Sequence, residues 1–158
     1  MPAGGSYQVD VRRMEAFSAR DLYDLLKLRV DVFVVEQACP YPELDGKDVD
    51  ALHLRLLDGA QLLAAARLFI PSETETPARI GRVVVSPNHR GRRLGEAVMH
   101  EAMKVCETEA RGSGIALSAQ AHLAGFYASL GFQAVSEEYL EDDIPHIDML
   151  RPAAAAVA

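Results

Sequence analysis

From Tyr7 to Arg12 apolar and polar residues alternate, with Tyr7, Val9 and Val11 set against Gln8, Asp10 and Arg12, which predicts a strand with one buried face. The period then lengthens. Asp21 stands three residues after Ser18, and Leu22, Leu25, Leu26 and Arg29 share one side of a helix, so a helix capped by Ser18 is expected. Phe33-Val34-Val35 extends that helix or follows it. Glu36 to Asp50 holds two prolines, a glycine and five acids, a composition that excludes a regular element and leaves a long loop. His53 to Leu57 and Leu62 to Phe69 flank Asp58-Gly59 and read as a hairpin. The polar stretch Pro71 to Ala78 reads as an exposed linker.

The second half repeats a strand-then-helix order. Ile80 to Val85 is almost continuously apolar, as expected of a central strand covered on both faces. Leu94, Val98, Ala102 and Val105 recur at helical spacing until Gly112 and Gly114 stop the helix. Ile115 to Ala119 is a strand, Leu123 to Leu130 a short helix closed by Gly131, Phe132 to Val135 a further strand, and Ile144 to Leu150 a last strand beyond the acidic run Glu137 to Asp143. The whole is a mixed α/β layer. One domain is expected, with a core from about residue 7 to residue 150 and a fraying tail over 151–158.

Composition narrows the partners. The chain has 158 residues and a formal net charge of −7, yet its cations are 13 Arg against 3 Lys, and Arg90, Arg92 and Arg93 cluster. An acidic surface with one basic loop argues against nucleic acid and anionic membranes and for a small anionic ligand. Cys39 and Cys106 lie far apart and fit buried thiols in a reducing compartment. Met1 to Ser6 lacks the basic and apolar regions of a signal peptide, so a cytoplasmic protein is expected. No H-x-x-x-H, cysteine pair or calcium-loop spacing occurs, and no metal is predicted.

The basic loop carries the chemistry. Val83-Val84-Val85 runs through Ser86-Pro87-Asn88 into Arg90-Gly91-Arg92-Arg93-Leu94-Gly95 and then into a helix. Such a strand-loop-helix order aims backbone N–H groups and the positive helix end at one point, which suits a phosphate or pyrophosphate.

That stretch resembles the (Gln/Arg)-x-x-Gly-x-(Gly/Ala) signature of the GCN5-related N-acetyltransferase (GNAT) superfamily, offered here as Arg90-x-x-Arg93-x-Gly95. Ala124-Gly125-Phe126-Tyr127-x-x-Leu130-Gly131-Phe132 resembles the superfamily's second common segment, in which a Tyr stands near the cofactor sulfur. Leu28 to Gln37, Cys39-Pro40-Tyr41, Asp45-Gly46, Ala119 to Leu123 and Glu141 to Met149 are similar to segments of the ElaA-like group, small bacterial proteins of that superfamily. Arg93 departs from the superfamily glycine, and the ElaA-like group also carries a basic residue there.

The resemblance implies a mostly antiparallel twisted sheet, splayed between its fourth and fifth strands and flanked by helices. It implies acetyl-CoA as co-substrate. Val83, Val84 and Val85 would run along the pantetheine arm, and Arg90, Gly91, Arg92, Arg93, Leu94 and Gly95 would hold the pyrophosphate. Tyr127 would give its proton to the leaving thiolate; the plain alternative is an aromatic packed between Phe126 and Leu130. For the general base, Glu36 comes from a cleft edge that raises its pKa, His122 follows the fifth strand, His146 sits among acids and apolar residues, and a water-mediated base is a further route. His53 reads as bonding only to its neighbours. Glu43, Asp45, Asp48 and Asp50, with Glu137 to Asp143, either surround an amine or form a solvated face.

The expected activity is acetyl transfer to a primary amine of a small molecule or peptide, in a direct ternary complex. A non-catalytic acyl-CoA-binding or regulatory module is the alternative. Dimerisation is conceivable through the last strand as a spare edge.

Overall fold

A computed structural model of the chain describes residues 6–73, 75–110 and 112–153. The predicted tail beyond Ala153 and the first five residues lie outside the described residues. Strand β1 (Gln8–Arg13) and a short 3-10 turn lead to helix α1 (Ala19–Val30), whose N-cap is Ser18, its hydroxyl accepting from the Asp21 amide at 3.1 Å. The apolar run after α1 continues as a π-helical segment, Asp31–Glu36, wound wider than α1. A loop containing one 3-10 turn, Asp48–Asp50, follows. Strands β2 (Leu52–Asp58) and β3 (Gln61–Phe69) form the expected hairpin, with Gly59 at a φ of +59° in its turn. Strand β4 (Ala78–Val85), helix α2 (Leu94–Glu109) and strand β5 (Ile115–Gln120) come next.

The last third departs most from the sequence pattern. The helix expected from Leu123 is a 3-10 turn followed by α3 (Ala124–Ala128), and β6 is only Gln133–Ala134. The acidic run contains strand β7 (Tyr139–Glu141), which forms a hairpin with β8 (Ile144–Arg151).

One sheet joins all eight strands in the order β1-β2-β3-β4-β5-β8-β6, with β7 also on β8. Every pairing is antiparallel except β4 with β5, which is parallel and holds for only two residue pairs, Ala78↔Ile115 and Arg79↔Ala116. Beyond Arg79 the two strands part. The expected splay is therefore present, and β4 is central but its β5-side edge is open from Ile80 to Val85. The last strand is not a spare edge: β5 occupies one side of β8 and β6 and β7 the other, so dimerisation through β8 has no free ladder to use.

The two faces bury different layers. α2 lays Leu94, Ala97, Val98, Ala102 and Cys106 on Leu54, Leu56, Ala64, Ala66, Leu68 and Ile80, and Tyr127, Phe132 and Met149 extend that core. On the opposite face Leu25 and Val32 pack on Ala65 and Val84. No helix among the described residues is long and apolar enough to cross a membrane.

Candidate active site

The splay opens a cleft of about 1070 Å³. Its β4 wall carries free backbone groups. Ser86 donates its amide to Leu63 of β3 at 2.8 Å, and because successive peptide groups of a strand point to opposite edges, the amides of Val83 and Val85 turn toward the splay while Val84 bonds to β3. The Val84 side chain belongs to the second core, so of the three valines it contributes structure rather than a cleft amide. A register shift between Ala65 and Arg67 marks a β-bulge opposite Arg82, whose φ is +49°.

At the end of β4 the basic loop turns into α2. Gly91 has a φ of +82° and Arg93 one of +56°, both left-handed. Arg93 is the N-cap of α2, and no side chain caps the helix, so the amides of Leu94, Gly95 and Glu96 precede the first intrahelical acceptor bond, Ala97 to Arg93 at 3.1 Å. Leu94 and Gly95 line the cleft. The superfamily glycine at position 93 now has a local reason: the backbone there is left-handed, and an arginine holds it at a cost of about 1–2 kcal/mol. Arg92 and Arg93 have no carboxylate partner among the described residues.

Arg90 differs. Its guanidinium is held bidentately by Glu36, Nη1 to Oε2 at 2.7 Å and Nη2 to Oε1 at 2.8 Å. This overturns the expectation for Glu36. Its carboxyl is held below the usual carboxylate range by the hydrogen bonds and charge of Arg90, not raised by a cleft, and a carboxylate so engaged is a poor proton acceptor. Glu36 instead ties the π-helical segment to the basic loop before α2.

The acidic loop fits neither reading as a whole: Asp50 is exposed, but Glu43, Asp45 and Asp48 are tied to arginines. Glu43 and Asp48 are buried. Arg29, 1% exposed, donates to Glu43 at 2.8 Å and to both oxygens of Asp48, while Arg67 bonds Asp45 and Asp48 and Arg82 bonds Glu43 at 2.7 Å. Three guanidinium groups thus neutralise three carboxylates, with Arg67, Arg82, Glu43 and Asp45 in the cleft wall and Arg29 and Asp48 behind it. Burial opposes ionisation of Asp45 and Asp48, but the arginine hydrogen bonds outweigh it and both carboxyls stay well below the usual range. His53 bonds the Asp48 carbonyl at 2.9 Å, as expected of a residue serving its neighbours, and burial lowers its pKa.

Tyr127 lines the cleft at 8% exposure, with Phe126 and Phe132 edge-on to its ring and no hydrogen bond to its hydroxyl among the described residues. Burial raises its pKa, which keeps the phenol protonated. His146 also lines the cleft; its Nδ1 lies 2.7 Å from the Ile144 carbonyl, and its Nε2 lies 3.6 Å from Glu141 Oε2. His122 is exposed at the cleft rim on the turn after β5. Of the two cysteines, Cys106 is buried with its thiol pushed up to about 12 by burial, whereas Cys39 is half-buried in the cleft wall. Among the described residues no group of three or more His, Cys, Asp or Glu is arranged to hold a metal ion.

A splayed parallel pair, an uncapped helix N-terminus beyond it and a buried tyrosine alongside define an acyltransferase of the GNAT class. The chain belongs to the acetyltransferase (GNAT) domain family, whose pattern matches residues 32–151. Within it the chain falls in the ElaA-like group: it is 43% identical to protein ElaA of Escherichia coli over 136 residues, 85% of this chain and 89% of that one. A crystal structure of that protein superposes with a TM-score of 0.85 at 39% identity, covering 92% of this chain and 99% of the other. An acyl-CoA N-acyltransferase from Pseudomonas aeruginosa superposes with a TM-score of 0.86 at 46% identity over the same shares. A UPF0039 protein of Schizosaccharomyces pombe is 43% identical over 136 residues, again 85% of this chain and 89% of that one, so relatives are not confined to bacteria.

Proposed function

We propose that the protein transfers the acetyl group of acetyl-CoA to a primary amine within a ternary complex. The observation that carries this reading is the alignment of the outward amides of Val83 and Val85 with the uncapped start of α2 along one cleft. The pantetheine arm pairs with those amides as a short false strand. The pyrophosphate lies against the amides of Gly91 to Gly95, with Arg92 and Arg93 supplying charge while Arg90 stays engaged by Glu36.

Transfer needs four events: loss of an amine proton, attack of the nitrogen on the thioester carbonyl, scission of the C–S bond and protonation of the thiolate. A β4 amide at the splay polarises the carbonyl. Tyr127 donates its O–H to the departing sulfur. His146 Nε2 is the favoured proton acceptor, directly or through water, with His122 as the second candidate at the rim. Activity of this kind fits a cytoplasmic setting that supplies acetyl-CoA.

The test is thermal stabilisation by acetyl-CoA followed by thiol release with an amine panel. Acetyl-CoA that stabilises the fold and is consumed with amine supports the reading. No stabilisation overturns it, and stabilisation without turnover of any amine leaves an acyl-CoA-binding module.

A further inference from the structure

We infer that the acceptor is a small amine that carries its own carboxylate, the carboxylate seated on Arg79 and the amine beside His146. This rests on the acetyltransferase reading and adds the class of acceptor. The ladder places Arg79 beside Ala116 where β4 and β5 part, and it pairs Ser118 with Asp148, and Gln120 with His146. Leu117, Ala119 and Met149 point into the α2 core, so alternation turns Arg79, Ser118, Asp148, Gln120 and His146 to the opposite face of the sheet.

Charge is distributed unevenly over this chamber. Arg67, Arg82 and Arg90 each hold a carboxylate, but Arg79 has none within 4.0 Å among the described residues; its bond is from Nη2 to the Ser118 hydroxyl at 3.3 Å. Asp148, the nearest acid along that row, already accepts from Ser118 and Tyr139 on one oxygen. At the other end Glu141 and Asp142 line the cleft with no lysine or arginine on them among the described residues, and Glu141 faces His146. An arginine with no carboxylate in direct contact at one end, its only acid link running through Ser118 to Asp148, and acids without cations at the other complement a zwitterion. A polyamine would bring a second cation against Arg79, which disfavours it.

The chamber is also roofed. Gln120 bonds Gln37 at 3.3 Å, Cys39 reaches the Asp142 carbonyl at 3.5 Å, and the Tyr41 hydroxyl bonds Asp143 at 2.6 Å, so the loop after the π-helical segment straps across to the β7–β8 turn. This enclosure favours a small molecule over a lysine on a folded protein. Arg79 reaches the level of Ser118, and His146 stands opposite Gln120 two residues on, so strand spacing sets roughly 8 Å between anchor and base. A short chain spans that gap.

The experiment is steady-state acetyl transfer to a series of ω-amino acids of increasing chain length, each paired with the amide of the same skeleton. The native protein should favour the acid over its amide by about tenfold or more in kcat/KM at the best length, since a fork of charge-assisted bonds reads the carboxylate. Arg79→Gln should collapse that ratio through KM for the acid, and Arg79→Lys should restore part of it. Because Arg79 is exposed, both variants should melt like the native chain. Equal turnover of acid and amide, a preference that survives Arg79→Gln, or turnover confined to peptides overturns the inference and leaves the acetyltransferase reading standing. Acetyl-CoA consumption with no amine at all overturns both.

Discussion

Two sets of arginines in this chain behave in opposite ways. Arg67 and Arg82 in the cleft wall and Arg29 behind it are each locked to Glu43, Asp45 or Asp48. Arg92 and Arg93, in the loop before α2, and Arg79, at the root of the splay, touch no carboxylate among the described residues. The side chain is the same in both sets, and what separates them is whether folding brings an acid to it. Where it does, the charge becomes framework that fixes the long loop to the sheet. Where it does not, the charge is left for something that arrives from solution.

The contrast is broken most severely by removing a member of the locked set. Arg29→Ala leaves Glu43 and Asp48 short of their buried partner and should lower unfolding free energy by about 3–5 kcal/mol in urea titrations. A loss below about 1 kcal/mol would mean the buried cluster is not framework at all.

Tyr127→Phe should reduce kcat by about a hundredfold while acetyl-CoA still stabilises the fold, because the ring packing stays and only the proton donor goes. An unchanged kcat would return Tyr127 to the core and remove it from the chemistry.

The unlocked set is tested by the double variant R92A/R93A. It should weaken acetyl-CoA binding by about tenfold, with a strong salt dependence in the native protein that the variant loses, read by calorimetry at two ionic strengths. A smaller and opposite change isolates the backbone at one of these positions. Arg93→Gly relaxes a left-handed residue and should raise stability by about 1 kcal/mol even as it weakens binding.

Acidification sharpens the same distinction. Asp45 and Asp48 have carboxyls held below 3.8, so their contribution is present above that value and is lost as pH falls through the lower folded values. His53, buried and lowered from 6.5, acts in the same direction: its contribution is full above 6.5 and declines as pH falls toward its folded value. Unfolding should therefore become easier from about pH 6.5 downward, first modestly and then steeply below pH 4. A melting temperature flat between pH 7 and pH 4 would count against the buried His53, and one that stays flat as pH falls below about 4 would count against the locked set.

The elements of the fold were largely legible because period and punctuation are local. Ser18 with Asp21, the Gly59 turn, and the loop from Val83 to Gly95 each read correctly from neighbouring residues. The partners of the charges were not legible. Arg90 and Glu36 are 54 positions apart, and Arg82 and Glu43 39, so no window of sequence pairs them. The same blindness made Glu36 look like a base and Glu43, Asp45 and Asp48 look like a solvated or substrate-facing group. β7 was hidden for a different reason: Tyr139-Leu140-Glu141 is too short and too acidic to show alternation, and its pairing with β8 decides its conformation.

The π-helical segment can also be read as a single-residue insertion into α1. A π turn accommodates one more residue than the α turn it replaces, and here that extra residue sits between the Leu25 core face and Glu36. Deleting one residue from 31–36 would restore ordinary winding and swing everything beyond it by about 100° around the helix axis. Glu36 would leave Arg90, and the strap that begins at Gln37 would start from the wrong side of the cleft. The spacing of one residue thus sets the phase between the helix that anchors this half of the fold and the loop that roofs the acceptor chamber.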